Sequence, residues 1–160
     1  MNIITKIIKV KLPQERAFDH FLNDLNYWWP KTYTWSNQVL KDIKIESFIG
    51  GLCTETGPYG FRCDWGRVID LVAPERIHLK WQISPERIPE PDPEKASDLE
   101  ISFRQTTEEE TTIELQHFNF ENHQKLAAQY YESMNSPQGW EFILHEFTTW
   151  LACKAPGTEQ

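Results

Sequence analysis

Ser136-Pro-Gln-Gly-Trp-Glu-Phe-Ile-Leu-His-Glu-Phe-Thr-Thr-Trp-Leu151 carries Trp140, Ile143, Leu144, Phe147, Trp150 and Leu151 at helical spacing. One face of a C-terminal helix is therefore almost wholly apolar and aromatic. Ser136 is placed to cap that helix, and Pro137 suits its first position, where a missing N–H breaks no bond. The spacing predicts a helix over 137–151. Upstream the chain reads mainly as strands, and a greasy helix after antiparallel strands implies a curved sheet that grips it. The space between sheet and helix can hold a small molecule.

Working outward, residues 99–105 and 111–118 alternate on either side of an acidic turn, with Leu99, Ile101 and Phe103 facing inward opposite Ile113, Leu115 and His117. The cleanest alternation is 76–83, where Ile77, Leu79, Trp81 and Ile83 point one way and His78, Lys80 and Gln82 the other. Further strands are expected over 3–12, 41–49, 52–56 and 61–72, joined by turns at Gly50-Gly51, Gly57–Gly60 and Ala73–Glu75. Pro13 opens a helix that buries Ala17, Phe18, Phe21, Leu22 and Leu25, and Trp28-Trp29-Pro30 ends it. A short helix, HQKLAAQYYESM, precedes the terminal one. Residues 84–98 hold four prolines among many charges, which predicts a long solvated loop, either a lid or poorly ordered. Strands with hairpin-length links and segregated helices make the class α+β with an antiparallel sheet.

At 160 residues, the length suits one domain over 1–153 with a frayed tail over 154–160. A net charge of −8 with no Lys/Arg cluster argues against nucleic acid and anionic membranes as partners. The N-terminus lacks a secretory profile and no apolar run is long enough to insert in a membrane, so a cytoplasmic location is expected. Cys53, Cys63 and Cys153 are too widely spaced for a zinc site or disulfide framework and read as small, mostly buried thiols. No metal or organic cofactor is indicated, and no hydrolase, phosphate-loop or dinucleotide motif is present.

The stretch Cys63-Asp-Trp-Gly-Arg-Val-Ile-Asp70, followed by Ala73-Pro-Glu-Arg-Ile-His-Leu-Lys-Trp-Gln-Ile83, resembles START-like (SRPBCC) proteins. Within them it is most similar to the branch of the activator of Hsp90 ATPase C-terminal domain. Trp28-Trp29-Pro30, Glu114-Leu-Gln-His-Phe118 and Ser136-Pro-Gln-Gly-Trp140 match that branch in the same order. The resemblance implies a helix-grip (START-like or Bet v 1-like) fold, a seven-stranded antiparallel sheet curved around the long C-terminal helix, with a deep cavity between them. Relatives bind lipids, sterols, polyketides or hormones, and a few cyclise or dehydrate polyketides. The co-chaperone that names the branch has a separate N-terminal Hsp90-binding domain. No counterpart is evident here, so a chaperone partner is not expected.

The leading expectation is binding of a small hydrophobic or amphipathic ligand by Trp35, Trp65, Arg67, Trp81, Phe103, His117, Trp140, Leu144 and Phe147. The rings among these either fill the core or line the cavity. His117 either orients a ligand, acts as acid–base in a cyclase, dehydratase or hydrolase, or is a core histidine bonded within the protein. Arg67 either clamps an anion or sits half-exposed in an ion pair with Asp64 or a neighbouring strand. His20, His123, His145 and Glu146 read as surface, boundary or capping groups. The aromatic group at Tyr27–Trp35 suggests a cavity rim or a protein contact. That contact would suit a homodimer or, as an alternative function, a chaperone-associated or stress-related interaction module.

Overall fold

The computed structural model describes residues 2–154. Its strands are β1 (Ile4–Val10), β2 (Asp42–Ile45), β3 (Leu52–Thr56), β4 (Arg62–Val72), β5 (Arg76–Trp81), β6 (Ser97–Thr107) and β7 (Glu110–Phe118). The helices are α1 (Gln14–Asn23), α2 (Leu25–Trp28), α3 (Ala127–Met134) and α4 (Trp140–Lys154). All seven strands form one antiparallel sheet in the order β1-β7-β6-β5-β4-β3-β2. The β1–β7 register sets Ile4 against His117 and Ile8 against Ile113. No helix among the described residues is long and apolar enough to cross a membrane.

Strand alternation turns Ile77, Leu79, Trp81, Leu99, Ile101, Phe103, Ile113, Leu115 and His117 to one buried face. Helix α4 lays Trp140, Ile143, Leu144 and Phe147 against that face, while Trp150 and Leu151 are only partly covered. Two aromatic clusters divide the length of α4. Toward its C-terminal half, Phe147 packs on Phe21 and Trp28 at centroid distances of 4.9 and 5.0 Å, and Phe21 and Phe18 pack on Phe103. Toward its N-terminal end, Trp140 meets Trp81 at 5.2 Å and Trp29 at 6.2 Å. The α1 rings fill the first end of the sandwich, and no such helix fills the second.

Several expectations shift in detail. Helix α4 begins at Trp140 rather than Pro137. Ser136 Oγ donates instead to Ser133 O, and residues 136–139 form a tight turn closed by Gly139 N–H donating to Ser136 O. That turn lets α3 run almost directly into α4. Lys154, expected in the tail, ends α4, and the rest of the tail lies outside the described residues. The strand expected over 41–49 stops at Ile45 because Glu46–Gly51 fold into a turn, with Glu46 Oε1 accepting from Leu52 N–H. The loop at 84–98 is solvated over most of 86–95, as expected, but it is tied down at both ends. Ile83 bridges Pro89, Glu90 N–H donates to Gln82 O, and β6 already begins at Ser97. Its backbone is held by Gln82 and Ile83, which continue the chain just past the end of β5.

Gly139 shows how close that α3–α4 turn is. A Cβ there would lie 2.0 Å from Met134 O and 2.4 Å from its carbonyl carbon. Gly139→Ala is expected to lower stability by about 1–3 kcal/mol through this backbone overlap. Urea melts would show it, and an unchanged midpoint would mean the turn is looser than described.

An indole-walled cleft at the N-terminal end of the grip helix

The unfilled end of the sandwich is a cleft of about 390 Å³. Trp29, Trp35, Trp81, Ile83, Met134 and Ile143 supply its apolar walls, and Thr32, Tyr33, Thr34, Arg87, Ser133 and Gln138 its polar groups. The size and balance suit a small organic molecule. Behind the walls, Trp65 stacks on Trp29 at 6.2 Å with planes 24° apart and meets Trp81 edge-on at 5.9 Å. Trp29, Trp65, Trp81 and Trp140 therefore support one another as a rigid block of indoles.

Three segments meet at the rim. Tyr33 Oη donates to Gln138 O at 2.8 Å, Trp35 Nε1 donates to Arg87 O at 2.8 Å, and Arg87 Nη2 donates to Ser133 Oγ at 2.9 Å. The Trp35 segment is anchored from below by Glu55, a buried carboxylate on β3. It accepts from Trp35 N–H at 3.2 Å and Ser36 N–H at 2.7 Å. Tyr130 anchors the other side, donating to Ile83 O at 2.7 Å and accepting from Trp81 Nε1 at 2.8 Å. Burial pushes its phenol up to about 12, so it stays a neutral donor.

His117 does not reach the cleft. The Trp140 indole can only donate, and it does so to His117 Nδ1 at 2.9 Å. The ring must then carry its proton on Nε2, which donates to Ser97 Oγ at 2.7 Å. Ser97 Oγ–H in turn donates to His123 Nε2 at 2.8 Å. This chain of donors has one direction and leaves His117 no lone pair to protonate without breaking the Trp140 bond. Burial, with His123 adding to it, holds the His117 pKa well below its ordinary value, and burial chiefly lowers that of His123 to about 4. An acid–base role for His117 near neutral pH is therefore replaced by a structural one: a core histidine bonded to side chains rather than to a carbonyl or water. His123 is correspondingly buried rather than a surface or capping group.

Arg67 lies opposite Lys80 across β4 and β5, on the outer face of the sheet, and its Nε donates to Gln82 Oε1 at 3.1 Å. It neither lines the cleft nor pairs with Asp64, whose partner is Arg62. That outer face also holds Asp98, bonded by His78 at 2.9 Å, Asn119 at 2.8 Å and Lys80 at 3.2 Å. Burial alone would raise the Asp98 pKa, but these donors outweigh it and hold it at about 2.

Of the residues singled out from sequence, Trp35 and Trp81 line the cleft. Trp65 and Trp140 back it, and Phe103, Leu144 and Phe147 fill the core. Arg87, Met134 and the Glu55 anchor were missed. Met134 was within reach, since Tyr130 and Met134 stand one turn apart on a short amphipathic helix. In the aromatic group at Tyr27–Trp35, Trp28 is buried and Trp29 and Trp35 are half-buried around the cleft, which leaves Tyr27 and Tyr33 as its exposed rings. Rim rather than contact surface describes most of it. Cys53 and Cys63 are buried and their thiols raised chiefly by that burial, Cys63 to about 12, whereas Cys153 is exposed on α4. The described residues include no cluster of His, Cys, Asp or Glu suited to a metal ion.

A curved antiparallel sheet closed on a C-terminal helix, with a cleft between them, defines the helix-grip class of α+β proteins. The chain belongs to the family of activator of Hsp90 ATPase homolog 1-like proteins, whose model matches residues 11–152. No curated protein matches the sequence. Solved structures share the fold. The anthrahydroquino-gamma-pyrone synthase Txn09 is 24% identical, with 94% of this chain and 97% of that one covered and a TM-score of 0.67. CalC, a self-sacrificing resistance protein from Micromonospora echinospora, is 19% identical over 97% of both chains at a TM-score of 0.66. The Aha1 dimer from Colwellia psychrerythraea is 16% identical over the full length of both at 0.60.

Proposed function

We propose that the protein binds a small, largely apolar and aromatic molecule in the cleft between Trp29, Trp35, Trp81 and Ile143. The observation that carries this reading is a 390 Å³ space walled by the indoles of Trp29, Trp35 and Trp81. A core under pressure only to be stable would close such a space, since each lost contact costs free energy. The family, and a neighbour of similar fold described as a synthase of an aromatic pyrone, are consistent with an organic ligand. The lining holds no His, Asp, Glu, Cys or Lys among the described residues. Binding therefore accounts for the site better than acid–base turnover does.

The test is a thermal-shift panel of flat apolar and amphipathic compounds, run in parallel on the native chain and on Ile143→Trp, which would fill the cleft. A ligand present at about 100 times its Kd is expected to stabilise the native chain by about 2.7 kcal/mol, and the filled variant by far less. If no compound shifts the native chain, or if both proteins shift alike, the cleft is not the binding site.

A further inference from the structure

We infer that the ligand carries a carboxylate or comparable oxyanion, and that Arg87 is the residue that receives it. This rests on the cleft being a ligand site and adds the polarity of what enters it. Among the residues that line the cleft, Arg87 is the one bearing a formal charge. Its guanidinium has neutral partners only: Ser133 Oγ at 2.9 Å, Met134 Sδ at 3.7 Å and the face of Tyr130 at 4.8 Å. No carboxylate lies within ion-pair distance of it among the described residues, although the chain has 24 acidic residues against 16 Lys and Arg. Arg62, Arg76 and Lys80 all take carboxylate partners in the same sheet. Arg87, at the mouth of the cleft, has none.

The loop is built to present this side chain. Arg87 has a φ of +67°, a left-handed conformation that a side chain of its size rarely adopts. Its backbone is held there from three directions. Arg87 N–H donates to Ser84 O at 2.8 Å, Ser84 N–H donates to Ile88 O at 2.8 Å, and Trp35 Nε1 donates to Arg87 O at 2.8 Å. Ser133 and the Tyr130 face then fix the guanidinium plane. A solvated surface arginine needs none of this. Only two of its N–H groups find protein acceptors, so part of the planar fork stays available, and that fork matches a carboxylate with two parallel hydrogen bonds. A flat ring between the indoles with its anion at the rim satisfies both halves of the site.

Isothermal titration with 2-naphthoate and its neutral counterpart 2-naphthalenemethanol separates the possibilities, on the native chain, Arg87→Gln, Arg87→Lys and Ile143→Trp. The naphthoate is expected to bind about tenfold or more tightly than the alcohol. Arg87→Gln should bring the naphthoate-to-alcohol ratio close to one, Arg87→Lys should restore the preference only in part, and Ile143→Trp should abolish binding of both. An alcohol that binds, with a naphthoate-to-alcohol ratio that Arg87→Gln does not alter, overturns the anion site while the cleft stands. Failure of both probes on the native chain removes the cleft reading and this inference together.

Discussion

A His117→Phe variant is expected to lose about 3–4 kcal/mol of folding stability, read as a lower urea midpoint with an unchanged slope. Phenylalanine retains the ring and much of the volume, so the loss reports polarity rather than a cavity. It strands the Trp140 N–H, a fully buried donor whose acceptor was His117 Nδ1, and it removes the donor to Ser97 Oγ. A buried donor left unsatisfied costs about 1–3 kcal/mol. Trp140 stands at the start of α4 and touches Trp81 and Trp29, so the damage also reaches the cleft wall. An acid–base residue would behave otherwise, since its removal would spare the fold. A His117→Phe protein with the native midpoint would therefore remove the directional chain from Trp140 to His123.

Acidification is expected to destabilise the protein well before its carboxylates titrate, and the same chain is the cause. An unfolded histidine titrates near pH ~6.5. In the fold, burial holds His117 well below that value and His123 at about 4. Between these limits the unfolded chain takes up protons that the native chain refuses, so stability rises with pH across the window and falls as pH drops. It is fully present above about pH 6.5. The His123 share is exhausted near pH 4.

One fully suppressed histidine contributes a slope of about 1.4 kcal/mol per pH unit. His117 contributes at that slope for as long as it stays neutral in the fold. His123 is more open to solvent and adds less. Asp98 acts in a separate and lower window. Its depressed pKa contributes stability above its ordinary value of 3.8, lost as pH falls through about 2. Urea midpoints at about pH 7 and pH 4.5 should differ clearly for the native chain and distinctly less for His117→Phe. Equal pH slopes in the two proteins would exclude His117 as the source.

How legible the molecule was in its sequence follows from which periodicities survive folding. The strands over 76–83 and 111–118 were readable because a sheet with one buried face imposes a period of two on every residue. Ile77, Leu79, Trp81, Ile113, Leu115 and His117 all lie where alternation puts them. Arg67 was ambiguous for the converse reason. A bulge in the β3–β4 register between Cys53 and Thr54 interrupts alternation just where Trp65 and Gly66 pass, so parity no longer reports the face. The loop around Arg87 is solvated, as its composition indicates, but composition does not reveal how it is anchored. Its order comes from hydrogen bonds to Trp35 and Ser133, which are distant in sequence, and to nearby Gln82.

By itself the sequence determined an α+β chain of seven antiparallel strands, the helical stripe from Trp140 to Phe147, and the family. Each is a local or periodic property that a linear string preserves. Which aromatic residues fill and which line is set by long-range packing. Phe103 and Phe147 meet the α1 rings and become core, while Trp81, though packed on Trp65 and Trp140, keeps one side on the cleft that Trp35 also lines. Ring chemistry is the same in both sets. The difference is whether another element arrives to cover the ring, and that depends on where distant segments are brought in space.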